Sequence, residues 1–426
     1  MSSSARRRSS LKELVLPDAI EALAGRVASA GGTAWLVGGG VRDHLLGRDV
    51  KDFDVEVHGV PTDDLERMLR KLGRVNAVGR SFGVFKLRPH GSPPDLPEID
   101  VSIPRRDSNA GPGHKGISVV GDPFMPLDEA VSRRDLTINA LMVDVRTREL
   151  CDRVGGVDDL EAGRLRAVDA TTFLDDPLRA LRVVQFAART GFTPDGALVQ
   201  LCRDAPIDEL PPERVQMEWE KLLLKGHQLP LALGIAREAG VLARVFPERV
   251  DDPGLDAALE RALPHREGLE AAGPRWALML AFWLAATPVQ AVEQTLDRLA
   301  MHTVGRFPVR RQVTAIVAHR DDPASTDADL RHLSVHAELR LALAMRAALA
   351  PDPVWAEALA RAEALGIDRD KPAPLLRGRD LAALGMPPGR AMGALVEAAY
   401  QAQLDGVLAT AEDALAWARD RVPTAD

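Results

Sequence analysis

Three carboxylates alternate with apolar residues in one short run of the sequence. From Asp52 to Val57 the run reads Asp-Phe-Asp-Val-Glu-Val. Because side chains alternate between the two faces of a β-strand, Asp52, Asp54 and Glu56 would share one face. Neighbouring carboxylates repel each other, and hard cations such as Mg²⁺ prefer oxygen ligands. Two-metal phosphoryl transfer uses such a pair to activate a hydroxyl and stabilise leaving pyrophosphate. The alternative is an acidic strand face turned to solvent.

A glycine-rich turn precedes this predicted strand. Residues 36–47 read Leu-Val-Gly-Gly-Gly-Val-Arg-Asp-His-Leu-Leu-Gly, which predicts a strand, a turn and a short helix that ends at Gly47. Backbone N–H groups at such a turn can hold an anion. The three glycines fit neither the dinucleotide-binding fingerprint nor the P-loop. Alone, the turn could equally be a tight connection with an Arg42–Asp43 surface pair, but beside two carboxylates it favours a phosphate and metal site.

Five motifs follow one another between residues 36 and 222. They are Gly-Gly-x-Val-Arg-Asp with Asp-x-Asp (38–54), Arg-Arg-Asp-Leu-Thr-Ile-Asn-Ala-Leu (133–141), Asp-x-x-Gly-Gly-x-x-Asp-Leu (152–160), Asp-Asp-Pro-Leu-Arg-x-x-Arg (175–182) and Glu-Arg-Val-x-x-Glu-x-Glu-Lys-Leu (213–222). This set resembles the bacterial class II tRNA nucleotidyltransferases and poly(A) polymerases, the family of the CCA-adding enzymes. Residues 378–389 and 403–406 resemble the tail of this family less specifically. The resemblance implies an α+β fold, with a small α/β head like that of polymerase beta followed by a helical neck, body and tail.

The resemblance also implies roles for individual residues. Asp52 and Asp54 would be catalytic and would hold Mg²⁺, in agreement with the interpretation of the alternating strand. The incoming nucleotide would be bound by Gly39, Arg42, Arg134, Asp176, Arg179 and Arg182.

The second motif lies before an apolar run, residues 136–143, which we interpret as a helix. In the family, Arg134 would contact the nucleotide phosphates, for which a planar donor fork is suited. Asn139 would order the site from the same helix. In the alternative interpretation, Asp135 caps the helix N-terminus and the arginines lie at the surface.

The fourth motif could select the base without a template. Cytosine and adenine both present an amino donor beside a ring-nitrogen acceptor, whereas guanine and uracil present a carbonyl beside an N–H. A carboxylate and a guanidinium therefore match C and A and mismatch G and U. Asp176 and Arg179 would supply this pair, as neighbours at i and i+3 on one helix. Arg182 would reach the base or the phosphates, and helix capping by Asp176 before Pro177 is the structural alternative.

The sequence departs from the family pattern at three places. Asp175 stands where the family usually has glutamate, and Gln185 stands where many relatives carry a third arginine, which puts that nucleotide contact in doubt. Some relatives carry a His-Asp phosphohydrolase domain. Residues 276–283 read Trp-Ala-Leu-Met-Leu-Ala-Phe-Trp at its expected position, so we expect core packing there and no metal-dependent phosphatase activity.

Three further features remain open. Asp100 is a weak candidate for a third carboxylate, and pairing with a local arginine is the favoured alternative. The polar segment 104–126 is interpreted as a long mobile loop, which in the family would help the switch from C to A addition; the alternative is a disordered surface loop with no role. Basic clusters could follow tRNA phosphates, or could be solvated helix faces; they comprise Arg306, Arg310, Arg311, His319, Arg320, Arg377 and Arg379.

Composition limits the remaining classes of protein. The 426 residues carry 54 basic and 62 acidic side chains, a net charge of −8, with 46% hydrophobic and 27% charged residues. This is typical of a globular protein with two or three domains and disfavours a general nucleic-acid coat. Two cysteines, Cys151 and Cys202, cannot form a disulfide framework or a Cys-x-x-Cys metal site. The cysteine content predicts a cytoplasmic protein, and the lack of an apolar run of membrane-spanning length predicts no membrane partner.

The resulting predictions divide the chain into five parts. We expect a disordered basic tail (1–17), a catalytic head (18–145), a helical neck with the nucleotide-selecting motif (146–225), a helical body (226–350) and a tRNA-binding helical tail (351–426). The predicted reaction is template-independent addition of CCA to tRNA from CTP and ATP with Mg²⁺ and release of pyrophosphate. Alternatives are a poly(A) polymerase, a partial CC-adding or A-adding enzyme, and an inactive RNA-binding protein. Oligomeric state is not predicted.

Overall fold

The computed structural model describes residues 11–50, 52–79, 83–93, 97–109, 117–249 and 253–422. The chain forms two compact units, the first from residues 1–215 and 231–245 and the second from 216–230 and 246–426. Most of the predicted basic tail, residues 1–10, lies outside the described residues. The division into head, neck, body and tail remains a prediction.

The strands of the first unit carry the predicted carboxylates. They are β1 (Thr33–Val37), β2 (Asp54–His58), β3 (Gly73–Gly79), β4 (Val84–Pro89), β5 (Ile99–Ser102), β6 (Arg105–Asn109), β7 (Ile117–Gly121), β8 (Met142–Asp144), β9 (Leu150–Cys151), β10 (Arg164–Leu165) and β11 (Thr193–Pro194). Seven form one sheet in the order β3-β4-β5-β2-β1-β8-β9. Only β2 and β5 run parallel among its neighbouring pairs.

The helices of the first unit pack on this sheet or follow it. They are α1 (Asp18–Ser29), α2 (Gly39–Leu45), α3 (Thr62–Arg70), α4 (Leu127–Ser132), α5 (Gly156–Ala162), α6 (Ala170–Phe173), α7 (Leu178–Thr190), α8 (Gly196–Asp204), α9 (Pro212–Lys225), α10 (Leu229–Glu238) and α11 (Val241–Val245). The division between the units falls within α9 and α10, because residues 216–230 belong to the second unit.

Burial decides which face of β2 carries the acids. Val55 and Val57 are fully buried, and α1, whose apolar face is also buried, packs against β1 beside them. Burying one such aliphatic side chain contributes about 1.5–3 kcal/mol. The strand therefore turns its valines inward, which leaves Asp54 and Glu56 on the opposite face.

Two predictions about local structure are wrong in detail. The predicted strand includes Asp52, but β2 begins at Asp54, so Asp52 lies in the segment before it. The predicted helix 136–143 is a 3₁₀ turn, Thr137–Asn139, followed by β8, which pairs with β1. Because residues 136–143 are all buried, their apolar run carries no periodicity that could separate a helix from a strand.

The predicted loop 104–126 contains an antiparallel strand pair. β6 and β7 pair in register from Arg105 opposite Gly121 to Asn109 opposite Ile117, and residues 110–116 lie outside the described residues. The polar residues of β6 have low strand propensity, and their partner strand supplies the pairing that makes them a strand. Its role in a switch from C to A addition remains a prediction.

The named secondary-structure elements of the second unit are all helices in the part of the chain that the structure describes, joined by turns and loops. Its further helices are α12 (Pro253–Glu267), α13 (Ala272–Trp283), α14 (Val289–Arg298), α15 (Val309–Ala318), α16 (Asp327–His336), α17 (Leu339–Leu349), α18 (Pro353–Ala364), α19 (Gly378–Ala383), α20 (Arg390–Leu404) and α21 (Ala411–Arg419). Residues 276–283 are all buried, which confirms the predicted core role. Trp219, Phe246 and Trp283 pack ring against ring within 4.6–5.7 Å. The α+β class, a mixed sheet followed by helices, is confirmed.

Two further observations concern membrane-spanning helices and cysteines in the described part of the chain. None of its helices combines the length and the apolar character that crossing a bilayer requires. Cys151 is half-buried, Cys202 is buried, and both are free thiols.

Candidate active site

One cavity of about 1150 Å³ collects the predicted site residues of the first unit. Every residue assigned a role in catalysis or nucleotide binding lines it: Gly39, Arg42, Asp52, Asp54, Arg134, Asp176, Arg179 and Arg182. These residues come from four separate parts of the first 182 residues. The structure thus places them together, while their individual roles remain predictions.

The glycine turn passes close to the carboxylate of Asp54. Gly38 has φ of +70°, a conformation that favours glycine, and a Cβ there would lie 3.2 Å from Oδ2 of Asp54. Asp54 is also opposite Val37 at the end of β1. The short connection from β1 into α2 is therefore glycine where it passes the acidic face of β2.

Asp54 lies in an excess of negative charge. It is in register with Asp100 on the parallel strand β5, and Asp52 lines the same cavity. Burial, Asp100 and Asp52 raise the pKa of Asp54, against the lowering effect of Arg134 and Lys86. Such a carboxylate gains from a bound cation.

Asp100 has a different partner from the one predicted. The Nζ of Lys86 on β4 lies 3.1 Å from its Oδ1, in place of a local arginine. Register explains this pair, since Lys86 stands opposite Asp100 in the antiparallel pairing of β4 with β5. Asp100 lines the cavity and remains a candidate third carboxylate.

The other acid of β2, Glu56, is neutralised by its neighbours. Glu56 lies 3.0 Å from Nη2 of Arg134 and 3.0 Å from Nε2 of His58. Burial opposes its charge, but the hydrogen bond with His58 and the charge of Arg134 outweigh burial and lower the pKa of Glu56. The sequence pattern predicted three acids on one face. Among the described residues, Glu56 has such an ion-pair partner, whereas Asp52 and Asp54 have none.

The donor set suits Mg²⁺ held jointly with a substrate. The described residues contain no group of three His, Cys, Asp or Glu arranged to hold a metal ion by themselves. Mg²⁺ usually takes one or two carboxylates and completes its shell with water and substrate phosphates. Asp52 and Asp54, two carboxylates lining one cavity, fit this pattern.

A buried hydrogen-bonded chain connects two predicted nucleotide-binding arginines. Nη1 of Arg42 donates to Oδ1 of Asn139 (2.6 Å), and Nδ2 of Asn139 donates to Oδ1 of Asp135 (3.2 Å). Oδ2 of Asp135 accepts from Nε of Arg182 (2.7 Å). Although burial opposes it, the charge and hydrogen bond of Arg182 lower the pKa of Asp135. Asp135 is therefore an ion-pair partner inside the site, and the interpretation as a helix cap is wrong.

The predicted base-selecting residues are held in fixed orientations. Both carboxylate oxygens of Asp176 accept from Nη2 of Arg214 (3.1 and 3.0 Å), and Oδ1 also accepts from the backbone N–H of Leu178. Arg179 donates to the carbonyl oxygens of Thr172 (2.8 Å) and Arg133 (2.6 Å). Both line the cavity.

Sequence reasoning missed several residues that line the cavity. It considered position 185 but not Arg189. Arg214 belongs to the fifth motif, but no pattern indicated that it would pair with Asp176. Gln185 is buried and is not among the lining residues, whereas Arg189, one turn further along α7, does line the cavity. The further lining residues without a predicted role include Arg105, Arg133 and Asp175.

The third motif, residues 152–160, holds the 3₁₀ turn that carries Asn139. The carboxylate of Asp152 accepts from the backbone N–H groups of Gly156 (2.9 Å) and Val157 (3.0 Å). A Cβ on Gly156 would collide with the carbonyl of Thr137. The buried Asp159 accepts from the Thr137 hydroxyl (2.6 Å). This motif thus fixes the 3₁₀ turn that carries Asn139.

We expect Asp159→Asn to destabilise the protein by about 2 kcal/mol at pH 7, since Asp159 also accepts from Nε of Arg164 (2.6 Å) and of Arg166 (2.9 Å). Although burial opposes the charge, the hydrogen bonds with Thr137, Arg164 and Arg166 lower the pKa of Asp159. A carboxylate with a lowered pKa contributes stability above its unfolded value of about 3.9 and loses it as the pH falls further. Urea unfolding of both proteins should therefore differ above pH 5 and converge below pH 4.

The exposed neighbour Asp158 provides the matched control. Asp158→Asn should change the free energy of unfolding by less than about 0.5 kcal/mol. Equal stability of the wild type and Asp159→Asn at pH 7 would contradict this account.

Comparison with known proteins agrees with the motifs. Residues 34–166 match the family model of the poly A polymerase head domain. A multifunctional CCA protein of Laribacter hongkongensis is 36% identical over 274 residues, which are 60% of this chain and 64% of that protein. One of Nitrosomonas europaea is 37% identical over 216 residues, 50% of this chain and 49% of that protein. The chain thus spans about half the length of most of the curated relatives it matches.

Solved structures extend the likeness along the chain. The Bacillus stearothermophilus CCA-adding enzyme in complex with CTP has a TM-score of 0.74 at 24% identity and covers 95% of this chain and 98% of its own. The Thermotoga maritima CCA-adding enzyme complexed with tRNA has a TM-score of 0.65 at 22% identity and covers 97% and 98%. Residues 34–166 therefore match the poly A polymerase head domain, and the chain has the fold of the CCA-adding enzymes.

Proposed function

We propose that this chain is a template-independent nucleotidyltransferase that adds CCA to the 3′ end of tRNA from CTP and ATP and releases pyrophosphate. One observation carries the proposal: Asp52 and Asp54 line the same cavity as Asp176 and Arg179. A carboxylate pair for phosphoryl transfer and a donor–acceptor pair for a base edge have no joint use in a protein that only binds RNA. The names of the curated relatives support the same reaction.

Asp176 and Arg179 select the base in this proposal. An ionised carboxylate only accepts hydrogen bonds and a guanidinium only donates them. Asp176 accepts from the amino group of cytosine or adenine, and Arg179 donates to the adjacent ring nitrogen. Arg214 and the carbonyls of Thr172 and Arg133 hold the two side chains in place, so little orientation is lost when the base binds.

Asp52 and Asp54 act at the α-phosphate in this proposal. They would hold Mg²⁺, which when bound would promote ionisation of the tRNA 3′-hydroxyl and neutralise charge on pyrophosphate. The glycine turn at residues 38–40 lets phosphates approach the backbone closely. Arg42 and Arg134 bind the phosphates, and Asn139 and Glu56 hold these two guanidinium groups.

A poly(A) polymerase is the second candidate, because the matching family model is described by that activity. The two enzymes differ in whether C is used and whether addition stops. Purified protein with Mg²⁺ should extend tRNA ending at the discriminator base by two C and one A, tRNA ending in C by one C and one A, and tRNA ending in CC by one A.

Single labelled nucleotides and their mixtures make this assay decisive. GTP and UTP should not be incorporated, and extension should stop after A. A run of A on any RNA would assign the chain to the poly(A) polymerases. Addition of C alone or A alone would identify a partial enzyme, and no addition in any mixture would contradict the proposed function.

A further inference from the structure

Three arginines surround one aromatic ring at the wall of the cavity. The guanidinium carbons of Arg42, Arg182 and Arg189 lie 5.1, 5.2 and 6.0 Å from the centroid of the Phe186 ring. Arg182, Phe186 and Arg189 are at positions i, i+4 and i+7 of α7, which places them on one face of the helix. Arg182, Phe186 and Arg189 all line the cavity. The face therefore concentrates positive charge towards bound ligands.

Arg189 differs from Arg42 and Arg182, each of which pairs with an acid. Arg42 pairs with Asp43 (2.8 Å) and Arg182 with Asp135 (2.7 Å). In the part of the chain that the structure describes, no carboxylate lies within ion-pair distance of Arg189, and its ring contact is with Phe186. Its positive charge is thus available to a ligand.

Its surroundings oppose that charge. Burial and the positive charge of Arg42 lower the pKa of Arg189, Asp43 offsets part of this, and Arg48 and Arg182 add to it. Like charges held together in a half-buried place raise the free energy of the empty site, and a bound anion relieves the repulsion. Arg48 also donates to the backbone carbonyl of Arg189 at 3.5 Å, which keeps the two close.

We infer that Arg189 binds the terminal, γ-phosphate of the incoming nucleoside triphosphate and so discriminates triphosphates from diphosphates. The inference rests on the proposed function. In an in-line displacement, the attacking 3′-hydroxyl and the leaving pyrophosphate lie on opposite sides of the α-phosphate. Because the proposed function has the glycine turn and Arg42 bind the phosphates, the β- and γ-phosphates extend to that side, where Arg189 stands beside the same ring. The RNA backbone approaches from the other side.

Binding of nucleotides without RNA tests this directly. CTP, CDP and CMP would be titrated calorimetrically into the full chain with Mg²⁺, for wild type and Arg189→Gln. Removing a charge-assisted contact should weaken CTP binding about tenfold or more. CDP and CMP, which lack the γ-phosphate, should bind both proteins equally well. Arg189→Lys, which keeps the charge without the planar fork, should give an intermediate loss for CTP alone.

Controls separate this inference from the proposed function. Arg146→Gln removes an exposed arginine from a turn of the same unit and should leave all three affinities unchanged. Wild type that binds CTP and ATP no better than GTP and UTP would contradict the proposed function, and this inference with it. With normal base preference in the wild type, a loss for CTP no larger than the loss for CDP overturns the role of Arg189. An effect confined to the affinity for tRNA overturns it as well.

Discussion

Asp54→Asn should lower the rate of nucleotide addition about a thousandfold or more while leaving the fold at least as stable as the wild type. The loss follows from the removal of a charged ligand for the catalytic cation, a contribution of several kcal/mol to the transition state. The gain in stability follows from repulsion. Asp54 stands in register with Asp100, with Asp52 lining the same cavity, so a neutral amide relieves like-charge repulsion in the free protein.

Two measurements check this result together. Single-turnover addition of C to a tRNA ending at the discriminator base gives the rate, and thermal unfolding gives the melting temperature. Asp63→Asn, on the exposed face of α3, is the matched control and should keep both values. A variant with near-normal rate would refute the role of Asp54, and a variant with a lower melting temperature would refute the repulsion.

Asp176→Asn should collapse base selectivity with little change in stability. Asparagine can still accept from the backbone N–H of Leu178, as Asp176 does at 3.2 Å, so the start of α7 is preserved. Its amide, however, offers a donor to the base edge as well as an acceptor. Loss of the charged acceptor should lower kcat/KM for CTP about a hundredfold. The amide donor meets the carbonyl of uracil, so the ratio of CTP to UTP use should fall by a larger factor.

The test compares kcat/KM for all four nucleotides on one tRNA substrate. Arg214→Gln removes the ion-pair partner of Asp176 but not the acceptor itself, so it should lower kcat/KM for CTP and ATP alike and keep GTP and UTP excluded. Asp204→Asn, an exposed substitution near the end of α8, is the neutral control. Unchanged discrimination against UTP in Asp176→Asn would mean that another group reads the base.

Local patterns in the sequence were sufficient for the strand, the turn and the helix at the centre of the site. The alternation at β2, the glycines at 38–40 and the Asp-Pro start of α7 are each set by neighbours within a few residues, because period and backbone freedom act locally. The same patterns predicted the α+β class. They could not separate helix from strand at residues 136–143, where every side chain is buried whichever structure forms.

The pairings within the site depended on contacts between distant parts of the chain. The alternating pattern treated Glu56 as equivalent to Asp52 and Asp54. In the structure, Glu56 pairs with Arg134, which lies 78 residues away in the sequence, and this pairing sets it apart from the two aspartates. In the same way Arg182 meets Asp135 across 47 residues. A charge pattern reports where ionisable groups occur, whereas the fold decides which charges are neutralised by a partner and which remain for a ligand. That is why the sequence by itself determined which chemistry to expect, and the tertiary structure decided which candidate residues keep a charge without a partner.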